Sequence, residues 1–236
     1  MVKIGITERG DAGVDFSWVD KLLPINIIIS KNLNDGLINA PIEHKDKIIF
    51  HMTCTGYGET ALEPNVPNWA WTHSQIKKLI DSGFPVEQIV LRVDPIIPTK
   101  RGIERAEDML ENFMDTGIRR VRYSFIDMYP HVKKRFKDAG LPLPYETFAP
   151  PSNAVLSAVE MMNRFEEHYH FESCAENTKH QMGCISPLDF QILGVYNDNF
   201  AGGYQRRGCM CLAGKTELLN SKTRCQHQCL YCYWKD

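Results

Sequence analysis

The sequence has no run of about 18 consecutive apolar residues, the length a membrane-spanning helix needs, so no transmembrane segment is expected. It also lacks an excess of either charge. Lys and Arg number 27 against 29 Asp and Glu, a formal net charge of −2, so no basic field supports a nucleic-acid partner. The opening stretch MVKIGITERGDAG reaches Glu8, Arg9 and Asp11 before any long apolar run, which is not the pattern of a signal peptide. A complete nucleotide-binding fingerprint is missing too, because Gly56-Tyr57-Gly58 has no third glycine and opens no predicted helix. What remains is a cytoplasmic protein, and in that compartment clustered thiols point to metal or redox chemistry rather than disulfides. Cysteine is where this chain is rich. Of its eight cysteines, six lie after residue 177: Cys184, Cys209, Cys211, Cys225, Cys229 and Cys232.

Composition is otherwise ordinary for a globular chain, with 43% hydrophobic and 24% charged residues, and 236 residues suffice for one sizeable core. Runs dense in Val, Ile and Phe at 2–7, 25–30, 47–54, 88–94, 119–127 and 169–176 predict strands buried on both faces. Helical patterns lie between them at 15–23, 72–83, 102–117 and 151–169, with Thr72 and Ser152 or Asn153 as caps. Alternation of this kind makes a parallel sheet. Most of these strands finish in polar side chains, which fits a site on the C-terminal rim of a barrel better than a single switch point of an open sheet. The expected fold is therefore α/β, a partial (β/α)6-type, TIM-like barrel over residues 1–176. Residues 177–236 form a cysteine-rich segment packed on its mouth, the whole making one structural domain. That segment holds one short helical candidate, 187–193, and a locally basic tail (Arg206, Arg207, Lys215, Lys222, Arg224, Lys235) too thin for a binding role. Loops bury little apolar area against their conformational entropy, so a metal staple is expected there.

Cys225, Cys229 and Cys232 stand in a C-x3-C-x2-C array, RCQHQCLYC. A structural zinc site takes four ligands, and His227 inside the x3 segment would reach the same tetrahedral metal awkwardly. Three thiolates suit a [4Fe–4S] cluster with one iron left open; a zinc or disulfide staple is the plainer reading. A second group, Cys174, Cys184, Cys209 and Cys211, has enough thiols for an auxiliary [4Fe–4S] cluster or for tetrahedral zinc, and the cluster is favoured. Cys54 ends an apolar strand and reads as a small buried hydrophobe.

With Tyr231 just before its last cysteine, the array resembles the signature of radical S-adenosylmethionine (radical SAM) enzymes, whose motif normally follows the first strand of a partial barrel. Across most of its length the chain resembles a family of bacterial proteins of unknown function with such an array near the C-terminus. The matching segments are TGYGETALEPNVP (55–67), RVDPI (92–96), SFIDMYP (124–130), ESCAE (172–176), QRRGCMC (205–211) and CQHQCLYCY (225–233). The resemblance implies a cluster on Cys225, Cys229 and Cys232 beside Tyr231, S-adenosylmethionine on its open iron, a reducing electron donor, and hydrogen abstraction from a small-molecule or nucleotide substrate by a 5′-deoxyadenosyl radical. A permuted arrangement would reconcile the motif's late position with the superfamily fold.

Candidates for contact with cofactor or substrate are the rim residues Arg92, Asp94, Asp127, Glu172 and Glu176. Arg92 and Asp94 read equally as an internal ion pair, and Asp127 as a residue positioning the next helix. Two other classes of function stay open: a non-catalytic zinc or iron–sulfur metalloprotein that binds a ligand or nucleic acid, and a barrel enzyme that uses rim carboxylates beside a purely structural metal.

Overall fold

The computed structural model describes residues 2–196, 201–203, 208–221 and 223–235; Gln205, Arg206, Arg207 and Lys222 lie outside them. Seven strands form one sheet: β1 (Ile4–Ile6), β2 (Ile25–Ser30), β3 (Ile48–Thr53), β4 (Ile89–Ile96), β5 (Arg120–Phe125), β6 (His170–Ser173) and β7 (Lys215–Glu217). Their order is β6-β5-β4-β3-β2-β1-β7, and every pairing is parallel. Parallel neighbours require a crossover between strands. Helices supply most of these: α1 (Asp35–Glu43), α2 (Trp69–Asp81), α3 (Lys100–Asn112), then α4 (Pro130–Asp138) and α5 (Ser152–Asn163) before β6. A short α6 (Pro187–Ile192) follows β6. The architecture is a seven-stranded parallel α/β sheet flanked by helices, with β6 and β7 as its edges. Among the described residues no helix is long and apolar enough to cross a membrane.

Strand alternation divides the core in two. On one face Ile28, Phe50, Met52, Leu91, Val93, Val121 and Phe171 pack against Leu37, Ile76, Leu79, Ala106, Met109, Met161 and other helix residues. On the other, Ile4, Ile6, Ile25, Ile27, Ile29, Ile49 and Val90 are covered by Ile185, Phe190 and Leu212 from the cysteine-rich segment. Each such side chain, fully buried, contributes about 1.5–3 kcal/mol. The segment after residue 177 thus supplies one wall of the core as well as an edge strand.

All six predicted strands are present. The helix predicted at 15–23 is not: that stretch makes turns and a single 3-10 turn, Val19–Lys21. Asp11 accepts from the Gly13 amide and Asp15 from the Ser17 amide, so side chains capture the backbone donors that a helix would need to start. The caps also differ. Asn68, not Thr72, caps α2 by accepting from the Trp71 amide, and Pro151 occupies the cap position of α5.

Candidate functional site

Because all strands run in parallel, the loops after them gather on one rim. There they enclose a cavity of about 670 Å³, lined among others by Glu8, Arg9 and Asp11 after β1, Lys31 after β2, Asp94 on β4 and Asp127 after β5. Both cysteine groups line it: Cys174, Cys184, Cys209 and Cys211, and Cys225, Cys229 and Cys232.

The loop that carries Cys225, Cys229 and Cys232 sits in a seat built by the segment after β3. The Leu230 amide donates to the Leu62 carbonyl at 3.0 Å, and Asn65 Nδ2 donates to the Gln226 carbonyl at 2.8 Å. The Tyr231 hydroxyl bonds the buried Glu63 carboxylate, and Lys31 Nζ donates to both, at 2.8 Å each. From α4, the Arg135 guanidinium donates to the Cys232 carbonyl at 2.5 Å and to the Trp234 carbonyl at 2.6 Å. His227 has both ring nitrogens engaged: Nδ1 lies 3.0 Å from the Asn65 carbonyl and Nε2 lies 3.0 Å from Asp11 Oδ2. Burial alone would lower the His227 imidazole, but the Asp11 carboxylate raises it above its ordinary value. Asp11 in turn is drawn down, against its burial, by His227, the Lys31 amide and the Ser30 hydroxyl. The imidazole thus sits between the Asp11 carboxylate at its Nε2 and the Asn65 carbonyl at its Nδ1, inside the cysteine loop.

Burial pushes the Cys229 thiol up to about 12, against the pull of Lys31, and raises Cys225 and Cys232 as well. A metal binding there displaces protons, as thiolate ligation requires.

The second group also is held closely. Cys174 Sγ and Cys184 Sγ lie 3.1 Å apart, and the Cys184 amide donates to Cys211 Sγ at 3.2 Å. Cys184, Cys209 and Cys211 are buried against one another with Cys174 packed beside them, apart from both halves of the main core. The Cys184 thiol lies well below its ordinary value, because Cys174 and Cys211 share hydrogen bonds with it and the Arg122 and Arg92 cations favour the thiolate. Among the described residues no three His, Cys, Asp or Glu side chains stand at the spacing of a single-ion site.

Of the expected rim residues, Arg92, Asp94 and Asp127 line the cavity. Arg92 and Asp94 form an ion pair, and the Ser124 hydroxyl donates to Asp94. Glu172 lies elsewhere, with no side-chain exposure and outside the cavity lining. One of its oxygens accepts from Arg120 Nε at 3.0 Å and the other pairs with Arg122. Arg120 also donates to Asp189 of α6 at 2.8 Å, and Arg122 to the Cys184 carbonyl at 2.7 Å. Glu172 is thus the centre of a charged network that fastens the cysteine-rich segment to β5 and β6. Glu176 accepts from the Phe125 amide at 3.0 Å and does not line the cavity either. Sequence reasoning missed Asp11 and Glu63, and it named His227 only as an awkward ligand. The signal that could have found them is polarity that strand or helix patterning does not explain, a buried acid in each of two loops and a histidine inside the cysteine array.

A family model described as a domain of unknown function (DUF1848) matches residues 21–234, so the chain belongs to that family. No similar protein was found among the curated proteins.

Proposed function

We propose that this protein is a radical SAM-type iron–sulfur enzyme, in which Cys225, Cys229 and Cys232 hold a [4Fe–4S] cluster and the strand-end cavity receives S-adenosylmethionine and substrate. The observation that carries the reading is the place of the array. β7 is first in spatial order along the sheet, β7-β1-β2-β3-β4-β5-β6, and the array follows it, facing the rim cavity. On this reading the array would stand to β7 as the motif stands to the first strand of the radical SAM fold, by way of a permuted chain, which supports a partial-barrel description of the sheet.

The residues present suit such a group. Three thiols face the cavity, and the imidazole inside the array, His227, lies between Asp11 and Asn65. When bound, a three-cysteine cluster supplies an open iron for S-adenosylmethionine and the electron that releases a 5′-deoxyadenosyl radical, which takes a hydrogen atom from the substrate. The protein's own part is to position and to enclose. Lys31, anchored on Glu63 and Tyr231, sets a fixed positive charge beside Cys229. Arg92 and Asp94, which also line the cavity, offer a donor and an acceptor for a small polar substrate, a nucleotide included. A separate reducing donor is required.

The test is electron paramagnetic resonance of anaerobically prepared, reduced protein, with and without S-adenosylmethionine. A cluster signal that changes on adding the cofactor, and that disappears in Cys232→Ala, is expected. Zinc without iron in the native protein, or cofactor cleavage at the native rate in Cys232→Ala, overturns the assignment.

A further inference from the structure

Within the second cysteine group, one pair of sulfurs is set face to face by the chain itself. Cys174 follows β6 and Cys184 precedes α6. They are ten positions apart in sequence, and their sulfurs lie 3.1 Å apart. Backbone hydrogen bonds close the loop between them at its base. The Ser173 amide donates to the His180 carbonyl at 2.8 Å, and the Met182 amide donates to the Ser173 carbonyl at 3.0 Å. Side chains pin the loop from within: Glu176 accepts from the Phe125 amide at 3.0 Å, and the Tyr123 hydroxyl lies 3.0 Å from Thr178 Oγ1 and 2.9 Å from His180 Nδ1. Beyond the loop, the Arg122 guanidinium donates to the Cys184 carbonyl at 2.7 Å, and the Cys184 amide donates to Cys211 Sγ at 3.2 Å. These contacts hold the two sulfurs about 1 Å beyond the roughly 2.05 Å of a disulfide bond. A small side-chain rotation covers that distance, with the backbone left in place.

We propose that Cys174 and Cys184 form a redox-active dithiol in the wall of the rim cavity, which exchanges with a small-molecule disulfide admitted there. Both cysteines line the cavity, and its 670 Å³ is within the usual range of small-molecule sites. Cys184 is buried and Cys174 half-buried, so a reagent meets the pair from the cavity side. In the exchange, one protein sulfur attacks the incoming disulfide as a thiolate, breaks its S–S bond and releases the first small thiol. The second protein sulfur, already at 3.1 Å, attacks the mixed disulfide, displaces the other small thiol and closes the Cys174–Cys184 bond. Two protein thiols are thereby oxidised and one small disulfide is reduced by two electrons. The two protons leave on the two small thiols. Excess small thiol runs the same steps in reverse and restores the dithiol.

The pair shares no residue with the Cys225, Cys229 and Cys232 array, so this inference stands or falls apart from the cluster proposed there. The anaerobically prepared full chain is equilibrated with mixtures of reduced and oxidised glutathione, its free thiols are trapped by alkylation, and its tryptic peptides are mapped by mass spectrometry. Lys179 lies between the two cysteines, so a disulfide joins two separate peptides. The expected result is a Cys174–Cys184 link that rises with the oxidised fraction and is reversed by excess reduced glutathione. Cys184→Ser should halt the exchange at its first step, with glutathione retained on Cys174. Alkylated thiols at both positions in every mixture overturn the proposal, as does a link from either one to Cys209 or Cys211 instead. Zinc or iron held by a variant with Cys225, Cys229 and Cys232 all changed to Ala overturns it too, because ligated sulfurs are not free to exchange. Where Cys184→Ser does not fold, the linked peptide of the native chain decides alone.

Discussion

Replacing Glu172 with Gln gives a direct measure of how the cysteine-rich segment is attached. The change is nearly isosteric, so it leaves no cavity and isolates the charge. Arg120, Arg122, Glu172 and Asp189 are all buried and sum to zero charge, while His51 beside Arg122 is held neutral. Glu172→Gln leaves two guanidinium groups facing one carboxylate, and turns an amide donor toward one of them. Breaking a buried pair by removing one partner costs about 3–5 kcal/mol. A domain of this size loses roughly 2–4 °C per kcal/mol, so the melting temperature should fall by about 6–20 °C. Matched preparations are compared by circular dichroism during heating and by urea midpoint. Glu146→Gln is the control, since that side chain is 83% exposed and 3.8 Å from Lys133, and a change under about 0.5 kcal/mol is expected there. A Glu172→Gln loss below about 1 kcal/mol would refute the network as the fastening.

The remaining expectations concern pH, packing and the cysteine loop. Burial, then Arg122 and Arg92, hold His51 well below its ordinary value, so it stays neutral in the folded chain while the unfolded chain takes up a proton below about pH 6.5. Stability therefore falls as the pH drops below about 6.5, by up to about 1.4 kcal/mol per unit from this group, and His51→Gln should flatten the slope of urea midpoint against pH between 6.5 and 5. An unchanged slope would mean that His51 is already protonated in the fold. At Gly183, an added methyl would lie 2.4 Å from Cys211 Cα and 2.5 Å from its amide nitrogen, both backbone atoms. Gly183→Ala should then cost about 1–3 kcal/mol by urea unfolding, and a native urea midpoint would show that the two stretches of chain separate freely. Arg135→Met removes both donors to the Cys232 and Trp234 carbonyls, and hydrogen exchange over residues 224–235 should rise at least tenfold, the equivalent of about 1.4 kcal/mol, with the sheet unaffected.

The parts of the fold that could be read from the sequence are those decided by burial on both faces. β2, INIIIS, is buried at every position, and its apolar density marks it without any knowledge of its neighbours. α3 shows itself by the stripe of Ala106, Met109 and Leu110. α1 did not, because Gly36 and Pro41 lower its propensity; it forms because Asn34 caps it and Leu37, Ile38 and Pro41 are buried. β7 is three polar residues, Lys-Thr-Glu, that become a strand only because β1 offers an unpaired edge. The C-x3-C-x2-C array announced itself through spacing, and the other four cysteines through their crowding in one region. Their partners Asp11, Glu63 and Arg135 lie far away in sequence, and only tertiary packing brings them to the loop.

That packing explains how an array so far along the chain comes to face the same cavity as β1. Lys215 of β7 pairs with Glu8, the Glu8 amide donates to Glu217 at 3.0 Å, and the Ser221 amide donates to the Arg9 carbonyl at 3.2 Å. The loop after β1 and the stretch after β7 are thereby stitched side by side, and Asp11, a few residues on, clasps His227 within the array. The clasp works before any metal arrives, because it uses only protein charges and backbone donors. On the proposed reading, metal binding then acts on a loop already in place. It spends little of its free energy on ordering the chain, and its stabilisation of the folded state grows with the logarithm of metal over dissociation constant. In Asp11→Asn the clasp is weakened while every cysteine remains. The metal then has to order the loop itself, so the variant should bind metal more weakly than the native chain with unchanged stoichiometry. Equal affinity in the two proteins would mean that the thiols alone place the loop.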